Sequence, residues 1–177
     1  MIKISLESLQ YPIGKFKWVE NPTPIEIKAA IGEIEAFPKA LSSLCTSFTE
    51  SDLEKTYRQE GWTVAQVIHH IADSHMHCYL RLKHAVLEET PTIKSYNESD
   101  WANTTDGNSL SIVHSVCLIK ALHQRWCLFL SSLNPIDLEK CYFHPERKKH
   151  YSVGATIMLY AWHGKHHLAH LKIATKK

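Results

Sequence analysis

Apolar residues recur every three or four positions along four long stretches of the chain, which is the period of an α-helix with one buried face. The stretches span residues 23 to 48, 62 to 89, 108 to 133 and 152 to 174. Polar or proline-containing segments separate them. Four such helices in one chain bury their apolar faces best against one another. The pattern therefore predicts an all-α fold, a four-helix bundle.

Signals at the ends of these stretches refine the prediction. Thr23 followed by Pro24 is typical of a helix start, and Thr63 with Gln66 three residues later is a capping-box pattern. Pro38 predicts a kink or an interruption in the first helix, because proline lacks the backbone N–H. Before the last helix, residues 141–144 and 150–153 flank a polar turn, which predicts a short β-hairpin.

Composition narrows the class of protein. A length of 177 residues, 44% of them apolar and 21% charged, suits one globular domain over residues 1–177. A formal net charge of +2 is too small to indicate a nucleic-acid partner. There is no apolar run long enough for a membrane span and no leader pattern at the N-terminus. The five cysteines form no CxxC pair, so we expect a reducing compartment and a cytoplasmic location.

The chain has 13 histidines, and they are clustered. Five lie in the second stretch and four in the fourth: His69, His70, His75, His77 and His84, then His163, His166, His167 and His170. Histidine is the commonest metal ligand in proteins. Two histidine-rich helices in one bundle therefore predict a metal site between them.

The fourth stretch offers a pair of ligands. His163 and His167 are four residues apart, which stacks two imidazoles on one helix face and presents two nitrogens to one ion. His166 and His170 have the same spacing, but the helical wheel directs His166 nearly opposite the core. The wheel therefore favours His163 and His167.

The third ligand must come from the second stretch, where spacing does not choose between His70 and His75. His75 faces the core more directly, but a buried histidine often serves only as a hydrogen-bonded core residue. Asp73 could orient a ligand imidazole from outside the coordination shell, or it could be a solvated surface carboxylate. Arg81 could contact an anionic substrate, although a surface ion pair is the commoner role.

Several motifs are shared with one known family. They are Gly61-Trp62-Thr63-Val64, His69-His70, Asp73-Ser74-His75-Met76, Glu89-Thr90-Pro91, Tyr160-Ala161-Trp162-His163 and His166-His167-Leu168-Ala169-His170. By these motifs the chain resembles the DinB/YfiT-like family of metal-dependent hydrolases, and its YfiT branch most closely. The resemblance covers nearly the whole chain and implies a four-helix bundle. It also implies that the ligands are the second histidine of the pair and both ends of the later His-x-x-x-His, here His70, His163 and His167.

The resemblance further implies an enzyme that uses one divalent metal ion, zinc or nickel, with an open position for water or a thiolate. The reaction is then hydrolysis or the transfer of a low-molecular-weight thiol, since the YfiT branch is similar to a bacillithiol S-transferase. The expected partner is a small-molecule substrate. A non-catalytic bundle that binds a small molecule or a metal is the alternative. A minor apolar stripe of Leu159, Trp162 and Ile173 predicts a homodimer.

Overall fold

The computed structural model describes residues 5–177. Its elements in chain order are α1 (Leu6–Gln10), α2 (Pro24–Cys45), α3 (Glu50–Leu53), α4 (Val64–Leu87), α5 (Glu98–Ala102), α6 (Val113–Ser131), α7 (Pro135–Glu139), β1 (Cys141–His144), β2 (Lys149–Ser152) and α8 (Val153–Thr175). The long helices α2, α4, α6 and α8 form the bundle. Strands β1 and β2 pair antiparallel, with Cys141 opposite Ser152. The predicted four-helix bundle and the hairpin before its last helix are confirmed.

Three of the four long helices begin where the local sequence indicates, whereas α6 begins at Val113, later than the predicted start at residue 108, and has no side-chain cap. The side chain of Thr23 accepts a hydrogen bond from the backbone of Glu26 while the Glu26 carboxylate accepts one from Thr23, a complete capping box. Thr63 and Gln66 form the same arrangement at the start of α4. Ser152 caps α8 through the backbone N–H of Ala155.

Helix α2 runs through Pro38 without a break, so of the two predicted outcomes the interruption was wrong, and the kink stays a prediction. Proline removes one backbone hydrogen bond from a helix interior, which costs stability but does not force an end. Ile34, Phe37 and Leu41 are buried on the two sides of Pro38. Their packing against the core keeps both halves of α2 in one helix.

The order of the helices around the bundle brings the two histidine-rich elements together. Helix α2 packs against α6 and α8, and α4 packs against the same two helices. Consecutive long helices α2 and α4 therefore occupy opposite corners, whereas α4 and α8 are neighbours. Buried apolar residues fill the interior in two clusters, one around Leu82, Trp126 and Ile157 and the other around Ile68 and Leu171.

The N-terminal segment covers the outer face of α8. The ring of Phe16 lies 5.8 Å from that of Trp162, which stacks on His166 at 4.3 Å. His166 is only 7% exposed because this segment covers the face of α8 that the helical wheel directs away from the core. A helical wheel gives the direction of each side chain, but it takes no account of another segment of the chain that folds over the outer side of the helix. The same cover leaves Trp162 half-buried, and the homodimer stays a prediction.

Within residues 5–177, no helix combines the length and the apolar character that crossing a membrane requires.

Candidate metal centre

Three histidines from two neighbouring helices meet beside the bundle core. One nitrogen from each of His70, His163 and His167 lies within 4.8 Å of the others. The ring centroid of His70 lies 5.4 Å from that of His163 and 4.9 Å from that of His167. Trp62, just before α4, packs against the His70 ring at 4.7 Å. The structure thus brings together the three histidines that the family resemblance implies.

A chain of hydrogen bonds with only one possible direction ends at His163. The carbonyl oxygen of Ile34 can only accept, so His123 Nδ1, at 2.7 Å, carries the proton. Neutral His123 then accepts at Nε2 from His75 Nδ1, at 2.8 Å. His75 accepts at Nε2 from His163 Nδ1, at 3.1 Å. His163 Nε2 is therefore the unprotonated nitrogen of its ring.

A second, shorter chain ends at His167 in the same way. His170 Nε2 donates to the backbone oxygen of Gln10 at 3.2 Å, so its Nδ1 is left as an acceptor. His167 Nδ1 donates to that nitrogen at 3.4 Å, a long hydrogen bond. His167 Nε2 is then unprotonated as well. The tautomers of both α8 histidines are thus set by backbone carbonyls outside the site.

The two unprotonated nitrogens face each other. His163 Nε2 and His167 Nε2 are 3.1 Å apart, and neither carries a proton to share. Two lone pairs at this distance repel each other, whereas a cation between them makes both into ligands. Nitrogens bound to one zinc ion at about 2.0–2.1 Å lie about 2.9–3.4 Å apart for angles of about 90–109°. The observed separation and the donor set both fit a divalent metal ion.

Burial keeps these imidazoles neutral. It lowers the pKa of His70 to about 4 and holds the pKa of His163 and His167 well below the usual histidine value, with neighbouring histidines adding to the effect. A metal ligand must be an unprotonated imidazole. The three side chains are therefore ready to bind a cation at neutral pH without first losing a proton.

A second group of three histidines in the described chain is geometrically able to hold an ion, namely His166, His167 and His170. It shares His167 with the first group. In this second group His170 Nε2 is occupied by the Gln10 carbonyl, and His167 Nδ1 is occupied by His170. The hydrogen bonds therefore favour the site at His70, His163 and His167.

His75 and His123 lie next to the site, and spacing along the chain did not predict the role of either. Both nitrogens of His75 are used in hydrogen bonds, so this ring has no lone pair for an ion. His75 therefore fits the alternative of a hydrogen-bonded core residue. His123 was missed altogether, although its position in α6, four residues after Ile119 and three before Trp126, places it on the buried face.

Among the described residues, neither Asp73 nor Arg81 forms a hydrogen bond to the three imidazoles. The predicted orienting role of Asp73 therefore stays a prediction. Arg81 is half-buried, and no carboxylate of the described chain lies within 4.0 Å of it. Within residues 5–177 the surface ion pair expected for Arg81 is therefore absent.

Asp73 provides a prediction for stability against pH. Partial burial, followed by the negative charge of Asp106, raises the pKa of this carboxyl to about 6 from 3.8. Between these values the folded chain binds more protons at Asp73 than the unfolded chain, so the Asp73 contribution to stability falls as pH rises. Asp73→Asn should therefore gain stability relative to wild type from about pH 4 to about pH 7. Urea unfolding of the metal-free proteins measures this difference.

The matched control for Asp73→Asn is Glu54→Gln, which neutralises an exposed carboxylate. Its difference in unfolding free energy from wild type should change little over the same pH range. A difference for Asp73→Asn that stays constant from acid to neutral pH would show that this carboxyl has an ordinary pKa.

The chain is similar to known proteins over nearly its whole length. The family model described as the DinB superfamily matches residues 33–171. A protein of Oceanobacillus iheyensis named "Putative metal-dependent hydrolase" is 48% identical over 168 residues, covering 95% of this chain and 96% of its own. One from Bacillus mycoides with the same designation is 44% identical over 166 residues, covering 94% and 95%.

Among solved structures, YfiT from Bacillus subtilis, described as "a probable metal-dependent hydrolase with an unusual four-helix bundle topology", superposes with a TM-score of 0.93. It is 36% identical, with 96% of this chain and 97% of that chain covered. The diagonal placement of α2 and α4 is thus a shared topology. On the family match, the identities and the common fold, this chain belongs to the DinB superfamily.

Proposed function

We propose that this protein is an enzyme that uses one divalent metal ion, zinc or nickel, held by His70, His163 and His167. One observation carries the proposal: the unprotonated Nε2 atoms of His163 and His167 converge to 3.1 Å. The homologues named as metal-dependent hydrolases support the reaction class. The reaction we propose is hydrolysis, or the transfer of a low-molecular-weight thiol to a small electrophile.

The protein residues define what the site can do. Three neutral imidazoles leave the charge of the ion uncompensated, and three ligands leave coordination positions open. A divalent ion bound there would lower the pKa of a water or thiol that joins it, which supplies a nucleophile at neutral pH. His163 is the one of the three ligand residues that is not fully buried, and we propose that small molecules reach the ion from its side. Tyr160 and Trp62 pack against the ligand rings and limit the access of bulk water.

The cellular setting is part of the proposal. All five cysteines of the chain are unpaired thiols, and Cys78 and Cys127 are buried. Free cysteines are typical of proteins from reducing compartments. We therefore place the protein in the cytoplasm, where low-molecular-weight thiols are available as substrates.

The proposal is tested by turnover with defined metal content. Zinc- and nickel-loaded protein would be assayed for hydrolysis of p-nitrophenyl acetate and for conjugation of L-cysteine to 1-chloro-2,4-dinitrobenzene. We expect at least one rate to exceed that of chelated protein by about 100-fold, since positioning and activating a nucleophile each contribute at this scale. His163→Ala should lose the gain. Rates equal in loaded protein, chelated protein and His163→Ala would instead indicate a non-catalytic binding bundle.

A further inference from the structure

Polar side chains follow one face of α4 away from the metal ligand His70. Ser74, His77 and Arg81 lie four, seven and eleven residues after it, positions that share one side of an α-helix. Ser74 Oγ is 3.2 Å from Tyr160 Oη, and the Tyr160 ring lies 5.2 Å from that of His163. The polar line is therefore continuous with the candidate metal centre.

The far end of this line is built around Tyr96, in the segment before α5. The Tyr96 ring stacks on His77 with centroids 4.2 Å apart and nearly parallel planes, at 11°. The guanidinium carbon of Arg81 lies 5.9 Å from the same ring. Arg81 thus reaches back to the level of His77, about 10 Å along the helix axis from His70.

Three polar atoms in this group are buried and have no partner. They are Arg81 Nε, His77 Nε2 and Tyr96 Oη, the last with no partner within 3.5 Å although the Ser74 hydroxyl is near enough to lower the pKa of Tyr96. Leaving a buried donor or acceptor unpaired costs about 1–3 kcal/mol, so native proteins leave only about a few such groups per 100 residues, and seldom several on side chains that touch one another. Three such atoms on contacting side chains indicate a place where a ligand supplies the missing hydrogen bonds.

The charge of the group indicates what kind of ligand this is. Arg81 is half-buried, and its one hydrogen bond in the described chain is a long one, 3.4 Å, from Nη2 to the Lys94 carbonyl. Around it are the phenols Tyr96, Tyr142 and Tyr160 and the imidazole of His144, on whose pKa values its positive charge acts. The carboxylates of Glu98 and Asp73 also act on the pKa of Tyr96, but among the described residues neither forms an ion pair with Arg81. A partly desolvated guanidinium without a carboxylate partner favours a bound anion. A planar carboxylate fits best, because two N–H groups of the guanidinium can donate hydrogen bonds to its two oxygens.

We propose that Arg81, His77 and Tyr96 form a subsite for the carboxylate of a small-molecule substrate whose reacting atom lies at the metal centre, on the order of 10 Å away. The proposal rests on the proposed metal-dependent function and narrows its substrates to extended, anionic molecules. The guanidinium binds the carboxylate, and His77 and Tyr96 complete its hydrogen bonds. Neutral molecules of the same length cannot form these hydrogen bonds and should bind more weakly.

The test uses the cobalt(II)-substituted full-length protein and two thiols of equal length. The carboxylate 6-mercaptohexanoate and the neutral 6-mercapto-1-hexanol both give a sulfur-to-cobalt absorption band when the thiolate binds. Wild type should bind the carboxylate about 10-fold or more tightly than the alcohol. Arg81→Gln should abolish this preference by weakening the carboxylate alone, and Arg81→Lys should keep part of it, because the ammonium retains the charge without the fork.

Lys83→Gln is the matched control, since it removes a positive charge from the same helix on the side that faces Tyr79 and Phe129. It should leave the preference unchanged. Equal binding of the two thiols by wild type, or an equal loss of preference in Lys83→Gln, would overturn the subsite while leaving the metal centre standing. Failure of wild type to bind cobalt would overturn the proposed function, and the subsite with it.

Discussion

Replacing His70, His163 or His167 by alanine should reduce the bound zinc from about one equivalent per chain to none. Each substitution leaves two imidazoles, which hold a divalent ion far more weakly than three. The variants should still fold, because the bundle core is made by apolar clusters on all four long helices. Elemental mass spectrometry after dialysis against zinc and then buffer measures the metal, and circular dichroism measures the helix content.

Two further variants make this experiment specific. His114→Ala removes an exposed histidine at the start of α6 and should keep the full equivalent. His166→Ala removes a member of the competing group formed by His166, His167 and His170, and it should also keep the metal. Loss of zinc in His166→Ala with retention in His163→Ala would move the site to that second group. Retention in all three ligand variants would contradict a metal site at either place.

Local sequence determined most of the fold. The caps at Thr23, Thr63 and Ser152 lie where three of the four long helices begin. Capping depends on residues within one turn, so it can be read without knowledge of the tertiary structure. The interruption predicted at Pro38 was wrong, because the packing of α2 on the core outweighs the loss of one backbone hydrogen bond at the proline. Spacing along the chain does not reveal this packing.

The site was predictable only as far as single helices determine it. The spacing of His163 and His167 is a property of α8 alone, and the structure brings these side chains together. The choice between His70 and His75 depends on how α4 meets α6 and α8, because His123 of α6 occupies one nitrogen of His75. The burial of His166 depends on residues distant in sequence, since the segment containing Tyr11 and Phe16 covers α8.

The hydrogen-bond chain from Ile34 to His163 has a consequence for metal affinity. In His123→Phe the acceptor for His75 Nδ1–H is lost, and His75 can move its proton to Nε2. It would then donate to His163 Nδ1, which forces the His163 proton onto Nε2, the nitrogen that faces the ion. We expect the dissociation constant for zinc to rise about 10–100-fold, the usual effect of losing a group that orients a ligand histidine. Competition with a chromophoric chelator measures it.

A general loss of stability in His123→Phe would not by itself move the His163 proton or weaken zinc binding. His69→Phe is the matched control, because His69 is also buried and also loses two hydrogen bonds, to Ser115 Oγ and the Ser109 carbonyl, yet among the described residues its ring forms no hydrogen bond to the three imidazoles. It should lower stability without weakening zinc. His123→Gln should recover part of the affinity, since its amide can accept from His75 and donate to Ile34. Long-range ¹H–¹⁵N spectra report the His163 tautomer directly, and an unchanged tautomer in His123→Phe would show that the chain does not control the ligand.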